Sequence, residues 1–160
     1  MKKKIGFTIG KFAPFHKGHE FLIQTALNEM DEVYVIVYET NLTSIPVSIR
    51  STWITNVFPK VKVLYAYDPP TKIGLDPESV KIQMEYLKKI INSIPVTHFY
   101  CSEKYGQFVA KSLNIIERNV DYNRDNVKIS STIIRNDLES NKKYLEAQVY
   151  NDIKRLDRRG

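Results

Sequence analysis

Gly10-Lys11-Phe12-Ala13-Pro14-Phe15-His16-Lys17-Gly18-His19 follows directly on an apolar run, Ile5-Gly6-Phe7-Thr8-Ile9, and opens into a helical pattern. The order is strand, loop with glycine and proline, then helix start, and it decides both the fold class and the place of the site. A helix start leaves backbone N–H groups unpaired and carries a partial positive charge, which suits an anion such as phosphate. His16 and His19, at i and i+3, fall on the same side of the first turn and can face one ligand. Gly18 between them removes a side chain where a phosphate or sugar would approach the backbone. Pro14 fixes the loop that aims them. A metal is the competing use of two histidines, but helical zinc pairs stand more often at i and i+4. Neither His98 nor the single cysteine, Cys101, makes a convincing third ligand, so no metal site is predicted.

Outward from this stretch the chain alternates helix and strand, the pattern of a parallel α/β sheet. A helix is predicted over 17–28, with Phe21, Leu22, Ala26 and Leu27 on its apolar face. The near-continuous apolar run over 32–38 reads as a strand covered on both faces. A polar loop over 39–44 leads past Pro46 to a helix capped by Ser48, with Ile49, Trp53, Ile54 and Val57 at helical spacing, and Pro59 ends it. Residues 61–66 form the third strand, and 68–75, with two prolines and Gly74, a loop. Asp76, Pro77 and Glu78 open the next helix as cap, first-turn proline and first-turn acid. A fourth strand is expected over 96–101, a helix from Ser102 or Glu103 to Leu113, a fifth strand over 114–118, and a short helix from about Ser130. Five strands with interposed helices predict a Rossmann-like, doubly wound α/β fold. They form one domain over 1–160, with its core in 4–137 and a helical C-terminal segment over 138–160. In such sheets ligands bind beyond the carboxyl ends of the strands, where the histidine loop falls.

Composition bounds the function. With 42% apolar and 26% charged residues, the chain is ordinary for a soluble globular protein, and no apolar run approaches membrane-spanning length. The basic start, Met1 to Lys4, is followed by an apolar run too short for a secretory signal. One cysteine makes no internal disulfide, which fits the cytoplasm. The net charge of +6 invites a nucleic-acid partner, but Lys2, Lys3 and Lys4 supply +3 and residues 154–159 another +3. The body is balanced, and basic ends of this kind are solvated tails. No nucleic-acid or membrane partner is expected.

Ile129-Ser130-Ser131-Thr132-Ile133-Ile134-Arg135 is the second stretch where chemistry shows. Three hydroxyl residues at a helix start offer donors to an anion, and Arg135, one turn on, presents a planar fork to phosphate oxygens. Read alone, the same residues are equally an N-cap with a solvent-facing arginine.

Together the two stretches resemble the signatures of the HxGH nucleotidyltransferase superfamily. Gly-Lys-Phe-x-Pro-x-His-x-Gly-His is most similar to nicotinamide mononucleotide adenylyltransferases of the NadR type, and I-S-S-T-x-I-R to their second motif. The resemblance covers residues 5 to about 137. It implies that His16, His19 and Arg135 act on the triphosphate of ATP, with Gly10, Lys11, Phe12, Lys17, Gly18, Ser130, Ser131 and Thr132 binding its phosphates. Ser102, Glu103 and Tyr105 would border the nucleotide. Arg50 and Trp53 match an arginine-to-tryptophan segment near the mononucleotide. Arg50 either pairs with the acceptor phosphate or lies on the surface. Trp53 either stacks on a nicotinamide ring or, by its spacing, belongs to the core.

The implied reaction transfers AMP from ATP to nicotinamide mononucleotide, giving NAD and pyrophosphate, with Mg²⁺ as the cofactor bridging phosphate oxygens. The partners implied are these small molecules, and a homo-oligomer is compatible with the family. No G-x-x-x-x-G-K-[ST] stretch is present and the chain begins at its first strand, so it reads as the adenylyltransferase unit standing alone, without kinase or DNA-binding functions. A cytidylyltransferase or a phosphopantetheine adenylyltransferase is the alternative. The former usually carry R-T-x-G-I-S-T-T, where this chain has Asn126-Val127-Lys128-Ile129 before the serines. A nucleotide sensor without turnover is a third reading.

Overall fold

A computed structural model describes residues 2–72 and 74–157. Arg158 and Arg159 of the basic tail lie outside the described residues. Five strands, β1 (Ile5–Gly10), β2 (Glu32–Tyr38), β3 (Lys62–Ala66), β4 (His98–Cys101) and β5 (Ile116–Asn119), form one sheet in the order β3-β2-β1-β4-β5. Every pairing is parallel. Between them run α1 (Lys17–Glu29), α2 (Val47–Val57), α3 (Pro77–Ile91) and α4 (Gly106–Leu113). After β5 come α5 (Ser131–Asn136), a 3₁₀ turn (Glu139–Tyr144) and α6 (Ala147–Leu156).

The strands alternate between two cores, as side chains of period two must. On β2, Val33, Val35 and Val37 join Phe15, Ile23 of α1 and Trp53 and Ile54 of α2, together with Leu145 and Val149 near the C-terminus. Ile36, between them, joins Phe7, Phe99, Met84 and Leu87 of α3, and Val109 of α4 on the opposite face. The sheet is therefore covered on both sides, which is why β2 reads as an unbroken apolar run. Strand order reverses between β1 and β4, and a crevice opens there beyond their carboxyl ends. Among the described residues no helix is long and apolar enough to cross a membrane.

Several boundaries differ from the sequence expectation, each for a local reason. Pro46 is the N-cap of α2 with no side-chain bond, and Ser48 sits in its first turn. Helix α4 begins at Gly106 rather than at Ser102 or Glu103. The Glu103 N–H bonds to Cys101 Sγ at 3.1 Å, which turns the chain away from helix. Asn114 is not the start of β5 but the C-cap of α4, at φ 55° and ψ 51°, a left-handed backbone that asparagine tolerates. Asp76 caps α3 as expected, accepting the Ser79 N–H at 3.1 Å.

Candidate active site

The connection from β1 to α1 is built around two aromatic rings and two imidazoles. Phe12 adopts φ 50°, a conformation rare for a bulky residue, and is buried at 3% exposure. Its ring folds back over Gly10, where a Cβ would meet it at 3.0 Å. It packs edge-on to His19 with ring centres 4.7 Å apart, while the Phe15 ring lies parallel to His19 at 5.9 Å.

His16 is the N-cap of α1. Its Nδ1 accepts the N–H of Gly18 at 3.0 Å and of His19 at 3.4 Å, and His19 Nδ1 accepts the His16 N–H at 3.1 Å. This is a capping box built from two imidazoles in place of a hydroxyl and a carboxylate. The amides of Gly18 and His19 are thus engaged by His16 within the first turn. Gly18 has a second reason to lack a side chain, because a Cβ there would stand 2.8 Å from His16 Cε1 and 3.0 Å from its Nδ1.

The same bonds set the tautomer. With Nδ1 accepting in each ring, a neutral imidazole carries its proton on Nε2, the donor it offers to the cleft that both rings line. Both rings are neutral. Burial, helped by the charge of Arg124, lowers the His16 pKa to about 3. Burial first, then His16 and Arg124, hold His19 well below its ordinary value. The rings stack 3.7 Å apart, a separation at which two imidazolium charges would repel strongly.

The second motif closes onto this loop. Ser130 caps α5, its hydroxyl accepting the Ile133 N–H at 3.3 Å. Ser131 Oγ donates to the Pro14 carbonyl at 3.1 Å, and Arg135 Nη1 to the Ala13 carbonyl at 2.7 Å. Thr132 Oγ1 accepts from Arg135 Nη2 at 3.3 Å. Residues more than a hundred positions apart thus share one cleft of about 1150 Å³. Gly10, Lys11, Phe12, His16, Gly18, His19, Ser130, Ser131, Thr132 and Arg135 all line it. Ser102, Glu103 and Tyr105, after β4, line it as well.

Three predicted residues lie elsewhere. The Lys17 ammonium pairs with Glu146 and with Glu20 at 3.4 Å, tying α1 to the start of α6, and does not line the cleft. Trp53 is 2% exposed and its indole N–H donates to the buried Asp152 carboxylate at 2.8 Å, which assigns it to the core rather than to a stacking site. Arg50 is not a surface residue. At 1% exposure it donates Nε to the Ile45 carbonyl at 2.9 Å and Nη1 to the carbonyls of Lys11 and Tyr38. It locks the β2–α2 loop to the histidine loop from below.

Sequence reasoning missed Arg124, which lines the cleft from the polar segment after β5. It also missed Glu39 and Asp68 at the opposite end, where the Asp68 N–H donates to Glu39 Oε1 at 2.9 Å. Neither belongs to a motif, and only the topology brings them to the crevice. Among the described residues no group of three or more His, Cys, Asp or Glu side chains is placed to hold a metal ion.

Comparison with known proteins agrees with this fold. A family model described as cytidylyltransferase-like matches residues 7–137. A stretch of 36 residues is 50% identical to the trifunctional NAD biosynthesis/regulator protein NadR of Escherichia coli, covering 22% of this chain and 9% of that protein. The NadR protein solved in complex with NAD and AMP-PNP superposes with a TM-score of 0.66 at 20% identity, over 93% of this chain and 46% of that one. A bifunctional NMN adenylyltransferase/ADP ribose pyrophosphatase from Francisella tularensis, complexed with AMP and a manganese ion, gives 0.63 at 19% identity over 95% and 52%. This chain spans about half the length of these solved proteins, and at such identities the likeness is one of fold.

Proposed function

The chain belongs to the cytidylyltransferase-like family, and from that premise we propose that it transfers AMP from ATP to nicotinamide mononucleotide, giving NAD and pyrophosphate. The observation that carries the reading is the pair of hydrogen bonds from Ser131 and Arg135 to the carbonyls of Pro14 and Ala13. They set the Arg135 guanidinium and the Thr132 hydroxyl of the second motif beside two imidazoles that line the same cleft, each with Nε2–H as its remaining donor. Donors converging in a crevice at the strand-order reversal suit a chain of phosphates.

In this reading a phosphate oxygen of the mononucleotide attacks the α-phosphorus of ATP. A P–O bond forms there as the bond to the leaving pyrophosphate breaks. The nucleophile is already ionised at neutral pH, so no general base is needed, and catalysis rests on positioning and on stabilising developing charge. His16 and His19 act as neutral donors rather than as cations. Each offers Nε2–H to an oxygen whose charge rises in the transition state. Arg135 and Lys11 supply permanent positive charge, Thr132 donates its hydroxyl to the outer phosphates, and Ser131, whose hydroxyl proton is engaged by the Pro14 carbonyl, holds the turn that presents them. The nucleotide lies over Ser102, Glu103 and Tyr105 after β4, and the acceptor over the loops after β2 and β3.

Mg²⁺ is the cofactor in this proposal. It would arrive on the triphosphate, since among the described residues no group of three or more His, Cys, Asp or Glu side chains is placed to hold it, and it would neutralise part of the phosphate charge. We place the enzyme in the cytoplasm, where an unpaired buried thiol, Cys101, and these substrates belong.

The test is pyrophosphate release from ATP or CTP, each offered nicotinamide mononucleotide, its acid form, phosphopantetheine and glycerol phosphate with Mg²⁺. Release with ATP and nicotinamide mononucleotide is expected. Release only with CTP, or only with an acceptor that is not a pyridine nucleotide, would sink the substrate assignment.

A further inference from the structure

A nucleoside triphosphate brings several negative charges into a cleft whose two histidines are neutral, so permanent cations must meet it. Lys17 is paired away from the cleft, and Arg50 has its guanidinium turned to backbone carbonyls. Of the cations named in the two motifs, Lys11 and Arg135 remain. The structure supplies a third from outside both.

We propose that Arg124 is a further phosphate-binding residue, a guanidinium that meets the triphosphate alongside the His16–His19 pair. The inference rests on the phosphate site proposed above and adds a residue to it. Arg124 lies on the β5–α5 connection and lines the cleft. Its Nη1 donates to the Ile129 carbonyl at 2.7 Å, and Ile129 is 1% exposed and adjoins the Ser130 cap. Among the described residues its Nε and Nη2 have no protein acceptor. One nitrogen therefore anchors the fork to the base of the serine turn while the others remain available to an anion.

The loop around it is built to hold this pose. The Arg124 N–H donates to the Asp121 carbonyl at 2.8 Å. The Asp121 carboxylate accepts the N–H groups of Asn126 and Val127, each at 2.9 Å, closing the turn. Arg124 and Asp121 both take left-handed backbone, φ 55° and 54°, which side chains other than glycine adopt only where the surroundings impose it. An independent mark of placement is that the charge of Arg124 reaches both imidazoles and helps hold both neutral. A bound phosphate beside the rings therefore lies within the same field.

The experiment is calorimetric titration of ATP and of inorganic tripolyphosphate into the wild type, Arg124→Gln and Arg124→Lys. Alongside it, the ring-proton resonances of the histidines are titrated by NMR without ligand. Loss of one charge-assisted bond predicts that Arg124→Gln weakens both ligands by about 10–100-fold. Arg124→Lys should recover part of the loss. The histidine midpoints should rise in Arg124→Gln, a shift that a merely structural brace would not produce.

Arg124→Gln binding within twofold of a tight-binding wild type would overturn the role of Arg124 and leave the phosphate site standing. So would a loss confined to ATP. Equal loss in both variants with unmoved histidine titrations would make Arg124 a brace for Ile129 and overturn the proposal. A wild type that binds neither probe would overturn the phosphate site itself, and this inference with it.

Discussion

His16 does two jobs that one substitution series can separate. Its Nδ1 caps α1, and its ring lines the cleft with Nε2–H as the remaining donor. Asparagine ranks with the best N-cap residues and can accept the same backbone N–H groups through its side-chain oxygen, but it has nothing in place of Nε2. His16→Ala removes both functions; His16→Asn restores only the cap.

The cap is worth about 1 kcal/mol, so His16→Asn should melt about 2–4 °C above His16→Ala in a chain of this size. Both variants lose one donor aimed at developing charge, which typically costs about 10²–10³ in turnover. Thermal unfolding read beside pyrophosphate release therefore gives two different orders. Asparagine should stand above alanine in stability and level with it in rate. If His16→Asn recovered turnover to within about threefold of the wild type, the Nε2–H assignment would be wrong. If alanine were as stable as asparagine, His16 would not be the cap.

Histidine titration supplies a second check. With their folded pKa values lowered, His16 and His19 should show no NMR titration between about pH 5.5 and 8, and turnover should have no imidazole limb there. The unfolded chain binds protons that the folded rings refuse. Denaturant stability should thus fall by about 1.4 kcal/mol per pH unit for each ring, from its unfolded pKa near 6.5 down toward its folded value. Trp53→Phe leaves the buried Asp152 carboxylate without its indole donor and should cost about 1.5–3 kcal/mol of unfolding free energy, leaving the acceptor KM unchanged. A raised acceptor KM with unchanged stability would return Trp53 to the site. Gly18→Ala should displace the His16 ring and lower turnover at least about tenfold with secondary structure intact by circular dichroism. Unaltered turnover would contradict the close approach.

Much of this fold is legible because its signals are local. The run over 32–38 is strand because both faces of β2 are covered, and Asp76-Pro77-Glu78 is a helix start by capping chemistry alone. Where a boundary slipped, a side chain had competed with the backbone pattern. The Cys101 thiol bonds to Glu103 N–H ahead of α4, and Asn114 absorbs a left-handed turn ahead of β5.

The two motifs were legible as a pair, but the bonding inside them was not. Nothing in His-x-Gly-His reveals that His16 takes the Gly18 and His19 amides, because that depends on the ring's rotamer. Arg50 reads in sequence as either ligand or surface residue, and its burial against backbone carbonyls removes the surface reading. A guanidinium buried against three carbonyls leaves no periodicity to read. Arg124 and Glu39 were invisible for the opposite reason, since loop residues reach a cleft only through topology.

The most direct test of the central claim follows the α-phosphorus itself. The protein is incubated with ATP labelled at the α-phosphate, nicotinamide mononucleotide and Mg²⁺, and the products are separated. Label is expected in NAD, with unlabelled pyrophosphate in equal amount and loss of both in His19→Ala that keeps its folded spectrum. Label that stays in ATP or appears only as free AMP would contradict nucleotidyl transfer in this cleft. So would undiminished labelling of NAD by folded His19→Ala.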